Sequence, residues 1–203
     1  MKSYIEKALT FAEYIELIDD LLAEGKTTGQ NQSETMFNYG KLNRQRMKRL
    51  EKTVVINKEL KEKVGNIKRP LIWLILTEGW CGDAAQNIPV IEKIASENPL
   101  IQTRYLLRDE NLELMDKYLT NGGRAIPILI CIDGETFQEL GKWGSRPQAI
   151  QEYFLELKAT GMEKSQISEM IQRRYNADKE QSIQADFLKL LDCCLTQSLT
   201  AKV

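Results

Sequence analysis

The chain has 203 residues, 42% of them apolar and 28% charged, with a net charge of −1 and no histidine. Such a length allows one sizeable domain with additions, and the near-neutral balance excludes the basic excess of a nucleic-acid footprint. The missing histidine excludes Cys/His zinc sites, Ser-His-Asp triads and Cys-His pairs within one chain, so no metal or cofactor is expected.

Taken in order, Thr10-Phe11-Ala12-Glu13 reads as a capping box, with Leu9 and Tyr14 as its hydrophobic staple. Tyr14, Ile18, Leu21 and Leu22 repeat at helical spacing up to Gly25, which predicts a helix over about 11–24, with room for a helical turn from Ser3. Residues 26–32 read as a loop. Ser33 is placed to cap a second helix to about Leu50, and a third helical piece over 52–64 ends at Gly65-Asn66. Lys41, Arg44, Arg46, Lys48, Arg49 and Lys52 make a basic run, read as a solvated helix face. None of these first 65 residues carries an assignable chemistry.

Leu71 to Leu76 is an apolar run with β-branched Ile72 and Ile75, expected to be a buried strand. It ends in Gly79-Trp80-Cys81-Gly82, and a helical pattern over 83–97 follows, interrupted and expected to kink at Pro89. A strand turning into a helix puts Cys81 where backbone N–H groups and the helix dipole favour a thiolate. A second strand over 100–107 completes a βαβ unit. A helix over 109–120 is expected from Leu112, Met115 and Leu119, and Ile126 to Ile132 is a third strand opening at Pro127. Asp133-Gly134 predicts a tight turn, with residues 136–140 returning antiparallel and 141–147 a loop. Helices are then expected up to 158 and over 163–174 and 178–194.

Lys2, Glu6, Glu13 and Glu16 break any apolar opening, so no signal peptide is expected. The longest apolar run is far short of the ~20 residues of a membrane span. A cytoplasmic protein in a reducing compartment is therefore the expectation, with no membrane and no nucleic-acid partner.

The order β-α-β-α-β-β-α over residues 70–158, with Trp80-Cys81-Gly82 after the first strand, Pro89, Ile126-Pro127 and the Asp133-Gly134 turn, resembles the thioredoxin family. The resemblance implies an α/β thioredoxin-like fold, a four-stranded mixed sheet flanked by helices. Residues 1–69 would then be a helical N-terminal extension packed on the core, and 159–203 a helical C-terminal one. It also implies that Cys81 is the attacking thiol, Trp80 the aromatic beside it, and Pro127 a cis-proline facing it. Ile126 would offer its backbone to an extended substrate, next to the Gly82-Asp83 turn. Asp83 opposes a thiolate at Cys81, and Arg124 is the cation expected to offset it if it reaches the cleft.

The chain departs from the family at Ala84, which occupies the place of the second cysteine, and at Asp83, where proline is usual. Ile75 replaces a frequent buried acid. What the resemblance implies is therefore a monothiol variant: a thiol–disulfide oxidoreductase whose mixed disulfide is resolved by a protein or low-molecular-weight thiol from outside. The alternative is a non-catalytic thioredoxin-fold module that holds a peptide. A chaperone-like or iron–sulfur role is a third alternative, the cluster needing thiolates from two subunits or from glutathione. Cys131 is expected to be a small buried hydrophobe, and Cys193-Cys194 a pair on a helix face at the surface. Trp143 is expected to pack where the next helix begins. The apolar stripe of Ile183, Phe187, Leu190 and Cys194 suits either the domain or a second subunit.

Overall fold

The computed structural model describes residues 1–200, with side chains as far as Leu195. Strands β1 (Leu71–Thr77), β2 (Ile101–Leu107), β3 (Ile128–Asp133) and β4 (Glu139–Gly144) form one sheet in the order β2-β1-β3-β4. β1 runs parallel to β2, with Leu71 opposite Ile101, and antiparallel to β3, with Leu71 opposite Asp133. β3 in turn pairs antiparallel with β4. β1 and β3 are buried along their whole length. Covered on both faces, such central strands read as continuous apolar runs with no alternation.

On the N-terminal side lie α1 (Lys2–Glu6), α2 (Phe11–Ala23), α3 (Glu34–Thr53) and α4 (Lys58–Gly65). The expected capping box opens α2: Thr10 Oγ1 accepts from the Glu13 N–H at 3.3 Å, and the Glu13 carboxylate accepts from the Thr10 N–H at 2.7 Å. Tyr14 then stacks on Tyr105 of β2 with ring centroids 5.0 Å apart. The helical piece expected over 52–64 is split. α3 continues to Thr53, the chain is extended at Val54, and α4 restarts where Asn57 Oδ1 accepts from the Leu60 N–H at 2.9 Å. β-branched Val54 and Ile56 are both buried, and burying them fixes this extended link between two helices.

α5 (Gly82–Ala95) carries the chain from β1 to β2 and contains Pro89. The helix expected over 109–120 is reduced to a 3₁₀ turn, Arg108–Glu110, and the single turn α6 (Leu112–Met115). Between them Asn111 leaves helical geometry, its side chain donating to the Leu107 carbonyl at 2.8 Å. The stripe that suggested a long helix is not a buried face, since Leu112 and Leu119 are exposed. The hairpin also differs. Asp133 Oδ1 accepts from the N–H groups of Glu135 at 2.9 Å and Thr136 at 2.8 Å, and the turn widens so that β4 begins only at Glu139. Residues 141–144, expected in a loop, complete β4.

α7 (Gln148–Ala159), α8 (Lys164–Asp178) and α9 (Gln181–Thr200) close the described chain. α9 covers the sheet: Phe187 lies 5.3 Å from Trp73 and 5.6 Å from Trp143, ring centre to ring centre. Its stripe of Ile183, Phe187, Leu190 and Cys194 is buried in the same core as β1, β3 and the N-terminal residues Tyr14, Met47 and Leu50. That settles the choice in favour of the chain's own sheet. Trp143 Nε1 and the Gln148 N–H both donate to Asp186, at 3.0 and 2.9 Å, which fixes the start of α7. The cysteine pair near the C-terminus divides. Cys193 is exposed, but Cys194 is buried with its sulfur 3.2 Å from where a Cβ on Gly141 would sit, and Gly141 stands opposite Cys131. A one-residue step along a helix rotates the side chain by about 100°, which sends neighbours to different faces. A smaller apolar cluster of Ile150, Leu157, Ile167, Ile171 and Tyr175 joins α7 to α8.

Candidate active site

Cys81 is the N-cap of α5. Its sulfur accepts from the Ala84 N–H at 3.5 Å and donates to the Ile126 carbonyl at 3.3 Å. Ile126-Pro127 is cis and leads directly into β3. The structure therefore brings Cys81, Ile126 and Pro127 together as the sequence suggested, with β1 and β3 as the rigid support. Close approach is enforced next door: a Cβ on Gly144, whose φ is +128°, would lie 2.2 Å from the Pro127 carbonyl oxygen. Only glycine fits there.

The turn is held from the N-terminal side. The Gly79 N–H donates to Thr28 Oγ1 at 2.8 Å, and the Gly79 carbonyl accepts from Asn43 Nδ2 at 3.3 Å. Trp80 is half-buried with the Arg108 guanidinium 4.8 Å from its ring centre. Glu78 is fully buried just before the turn, accepting from the Asp109 N–H at 2.9 Å, and burial raises its carboxyl above the ordinary value.

Cys81 is 8% exposed. Burial, and then the neighbouring Asp83 charge, push its thiol up to about 12, against the opposing pull of the Ala84 and Asp83 N–H groups and of Arg146. The resting group is thus a neutral thiol, which agrees with its donating to the Ile126 carbonyl. The helix N-terminus favours the anion only weakly, and burial beside a carboxylate outweighs it.

Asp83 is itself enclosed. Arg146 lies 2.7 Å from one carboxylate oxygen, and the Tyr175 hydroxyl donates to the other at 3.0 Å. Asn87 Nδ2 donates to the Tyr175 oxygen at 3.0 Å and to the Asp83 carbonyl at 2.8 Å. Burial raises the Asp83 carboxyl, with Arg146 opposing, while Asp83 outweighs burial to keep Arg146 firmly charged. The single 2.7 Å contact is a charge-assisted bond through one guanidinium nitrogen, the other carboxylate oxygen being taken by Tyr175.

Arg124 does not serve as the cation beside Cys81. Its guanidinium grips Asp116 at 2.6 and 2.8 Å, with both side chains about half exposed. Asp116 is a nearer partner on the loop they share, and Arg146 from the β4–α7 connection takes the place expected for Arg124. Nothing in spacing or periodicity links 146 or 175 to 83; proximity arises only when α7 and α8 fold back over the start of α5. The basic run on α3 is also not uniformly solvated. Arg44 is buried against Asp19 at 2.9 Å and Glu51 at 3.0 Å, and Arg46 turns inward to Asn43 at 2.8 Å.

In front of Cys81 opens a cleft of about 730 Å³, walled by α3 (Met36, Tyr39, Asn43, Arg46), by Trp80 and by α8 (Lys164 to Gln172). Gly82 forms part of its floor: a Cβ there would lie 2.9 Å from Gln172 Nε2 and 3.7 Å from Arg46 Nη1.

A sheet of this order carrying a cysteine turn opposite a cis-proline defines the thioredoxin class. A family model described as thioredoxin matches residues 29–181, and the chain belongs to that family. No curated protein matches. Among solved structures, a protein of unknown function from Pseudomonas aeruginosa is 18% identical with a TM-score of 0.61, over 93% of this chain and 95% of that one. An HIV epitope-scaffold is equally similar, 18% identical with a TM-score of 0.61 over 94% and 96%. These likenesses extend the shared fold across the N- and C-terminal helices. Among the described residues no helix is long and apolar enough to cross a membrane.

Proposed function

We propose that this chain is a monothiol thiol–disulfide exchange protein in which Cys81 attacks and an outside thiol resolves. The observation that carries the reading is the contact of the Cys81 sulfur with the Ile126 carbonyl beside cis Pro127, with Cys81 itself lining the cleft between α3 and α8. Ala84 in place of a second cysteine leaves the mixed disulfide without an internal resolving thiol. An incoming disulfide displaces the thiol from Ile126. The thiolate forms a bond to the nearer sulfur, the old S–S bond breaks, and the leaving thiolate takes up the proton that Cys81 gave away. Trp80 and the Ile126-Pro127 backbone align the incoming chain, with Gly82 and Asp83 bordering it. A protein or low-molecular-weight thiol, abundant in a reducing cytoplasm, then restores the free Cys81.

A second reading, a module that holds a peptide without turnover, is favoured by the burial of Cys81 and its raised thiol. Mass spectrometry of the purified chain after exposure to a protein disulfide separates the two. Exchange predicts one adduct on Cys81, absent from Cys81→Ser and released by added thiol. Binding that survives Cys81→Ser without any adduct leaves the holding module.

A further inference from the structure

The cleft in front of Cys81 has an unbalanced charge. Of the acids lining it, Asp83 is paired with Arg146 and Glu169 with Arg173. Of the cations, Arg46 donates through Nη1 to the neutral Asn43 side chain at 2.8 Å and Lys164 is exposed at the start of α8; among the described residues neither has a carboxylate within ion-pair distance. Arg46 is half-buried beside Gly82, and burial together with the nearby Arg49 works against its charge. A half-buried guanidinium without a counter-charge gains from an anionic partner. The two cations line the same cleft from different helices, α3 and α8.

We infer that this cleft binds a small carboxylate-bearing thiol or disulfide, held by Arg46 and Lys164 with its sulfur presented to Cys81. This rests on the exchange reading above and names the co-substrate of that site. A cleft of about 730 Å³ is the size of a small-molecule pocket. Its lining residues lie on α3, α8 and the Cys81 turn with no strand edge among them, which suits such a ligand better than an extended peptide that pairs with an edge. Guanidinium geometry matches a carboxylate through two parallel bonds, while Met36, Tyr39 and Trp80 offer apolar surface to the ligand's body. The covalent step is the one already written: the Cys81–sulfur bond forms as the ligand's S–S bond breaks, and the ligand's other half leaves as a thiol.

The test uses the full chain with three symmetrical disulfides: oxidised glutathione (anionic), 2-hydroxyethyl disulfide (neutral) and cystamine (cationic). Rates of adduct formation at Cys81 are read by intact mass and divided by those of a short Cys peptide. The anionic disulfide should be preferred by about tenfold or more. Arg46→Gln should remove about tenfold of that, and Lys164→Gln, at an exposed position, about two- to threefold, with little change for the neutral disulfide. Equal normalised rates for the three disulfides would overturn the inference and leave exchange standing. S-methylglutathione, which cannot exchange, separates the other failure. If its titration shifts the Trp80 indole resonance in the parent chain and less in Arg46→Gln, the anion site stands even if no adduct forms with any disulfide. If it leaves that resonance unmoved, or if an acidic hexapeptide displaces it at lower concentration, the small-anion assignment falls.

Discussion

The Tyr175 hydroxyl donates to the Asp83 carboxylate at 3.0 Å across 92 positions of chain. Through that bond α8 helps to decide the electrostatics of a turn formed between β1 and α5. Asp83 raises the cost of a Cys81 thiolate, and Arg146 and Tyr175 hold Asp83 in place to do so.

Replacing Asp83 by Asn should therefore accelerate the thiol. It removes the nearby negative charge and leaves Arg146 without its partner, two changes in the same direction at Cys81. A loss of one pKa unit corresponds to roughly tenfold more thiolate, so iodoacetamide alkylation of Cys81 at neutral pH should rise by at least about tenfold. An unchanged rate would remove Asp83 from the account.

The pH profile follows from the direction of the Cys81 shift. With the folded thiol raised to about 12, the alkylation rate should climb about tenfold per pH unit from 7 to beyond 10, without a plateau near neutrality. For stability, the folded chain holds this proton more tightly than the unfolded one, whose thiol titrates near ~8.5. The contribution is whole below ~8.5 and is lost as pH rises toward the folded value. Denaturant titrations of Cys81→Ser should show a shallower alkaline loss than the parent chain.

Cutting the support of Asp83 should cost stability. Arg146→Gln leaves a carboxylate buried without its ion-pair partner, a change worth about 3 kcal/mol or more. Tyr175→Phe removes one hydroxyl from between Asp83 and Asn87, worth about 1–2 kcal/mol. Urea unfolding should rank Arg146→Gln well below Tyr175→Phe, and the reverse order would mean that Asp83 is neutral in the fold.

Gly144→Ala should be among the worst single substitutions. The added methyl would meet the Pro127 carbonyl oxygen at 2.2 Å, on backbone that side chains rarely adopt. Strain plus the clash should exceed about 3 kcal/mol, read as a large drop in Tm with the cis-proline face disturbed in NMR spectra.

Much of the fold was legible because its signals are local. The capping box at Thr10 and Glu13, the continuous apolar runs of β1 and β3 and the start of α5 at Cys81 each depend on neighbours within a few residues, so one chain suffices to read them. Where the reading failed, a nonlocal partner had decided. Leu112 and Leu119 had helical spacing but no surface to cover them, and a long helix needs such burial to persist. Cys194 looked like half of a surface pair until α9 turned it onto β4.

The same division holds at the site. By itself the sequence determined that Cys81 stands at a strand-to-helix turn with Ala84 three residues on, because those residues are set by position in a local pattern. That Ile126-Pro127 faces it was implied by the family resemblance and is a contact across 45 positions in the fold. Only tertiary structure decided that Arg146, not Arg124, pairs with Asp83, that Tyr175 anchors it, and that Arg46 lines the cleft without a carboxylate partner among the described residues. Charges act through space, and the separations that count are fixed only when α3, α7 and α8 pack around the turn.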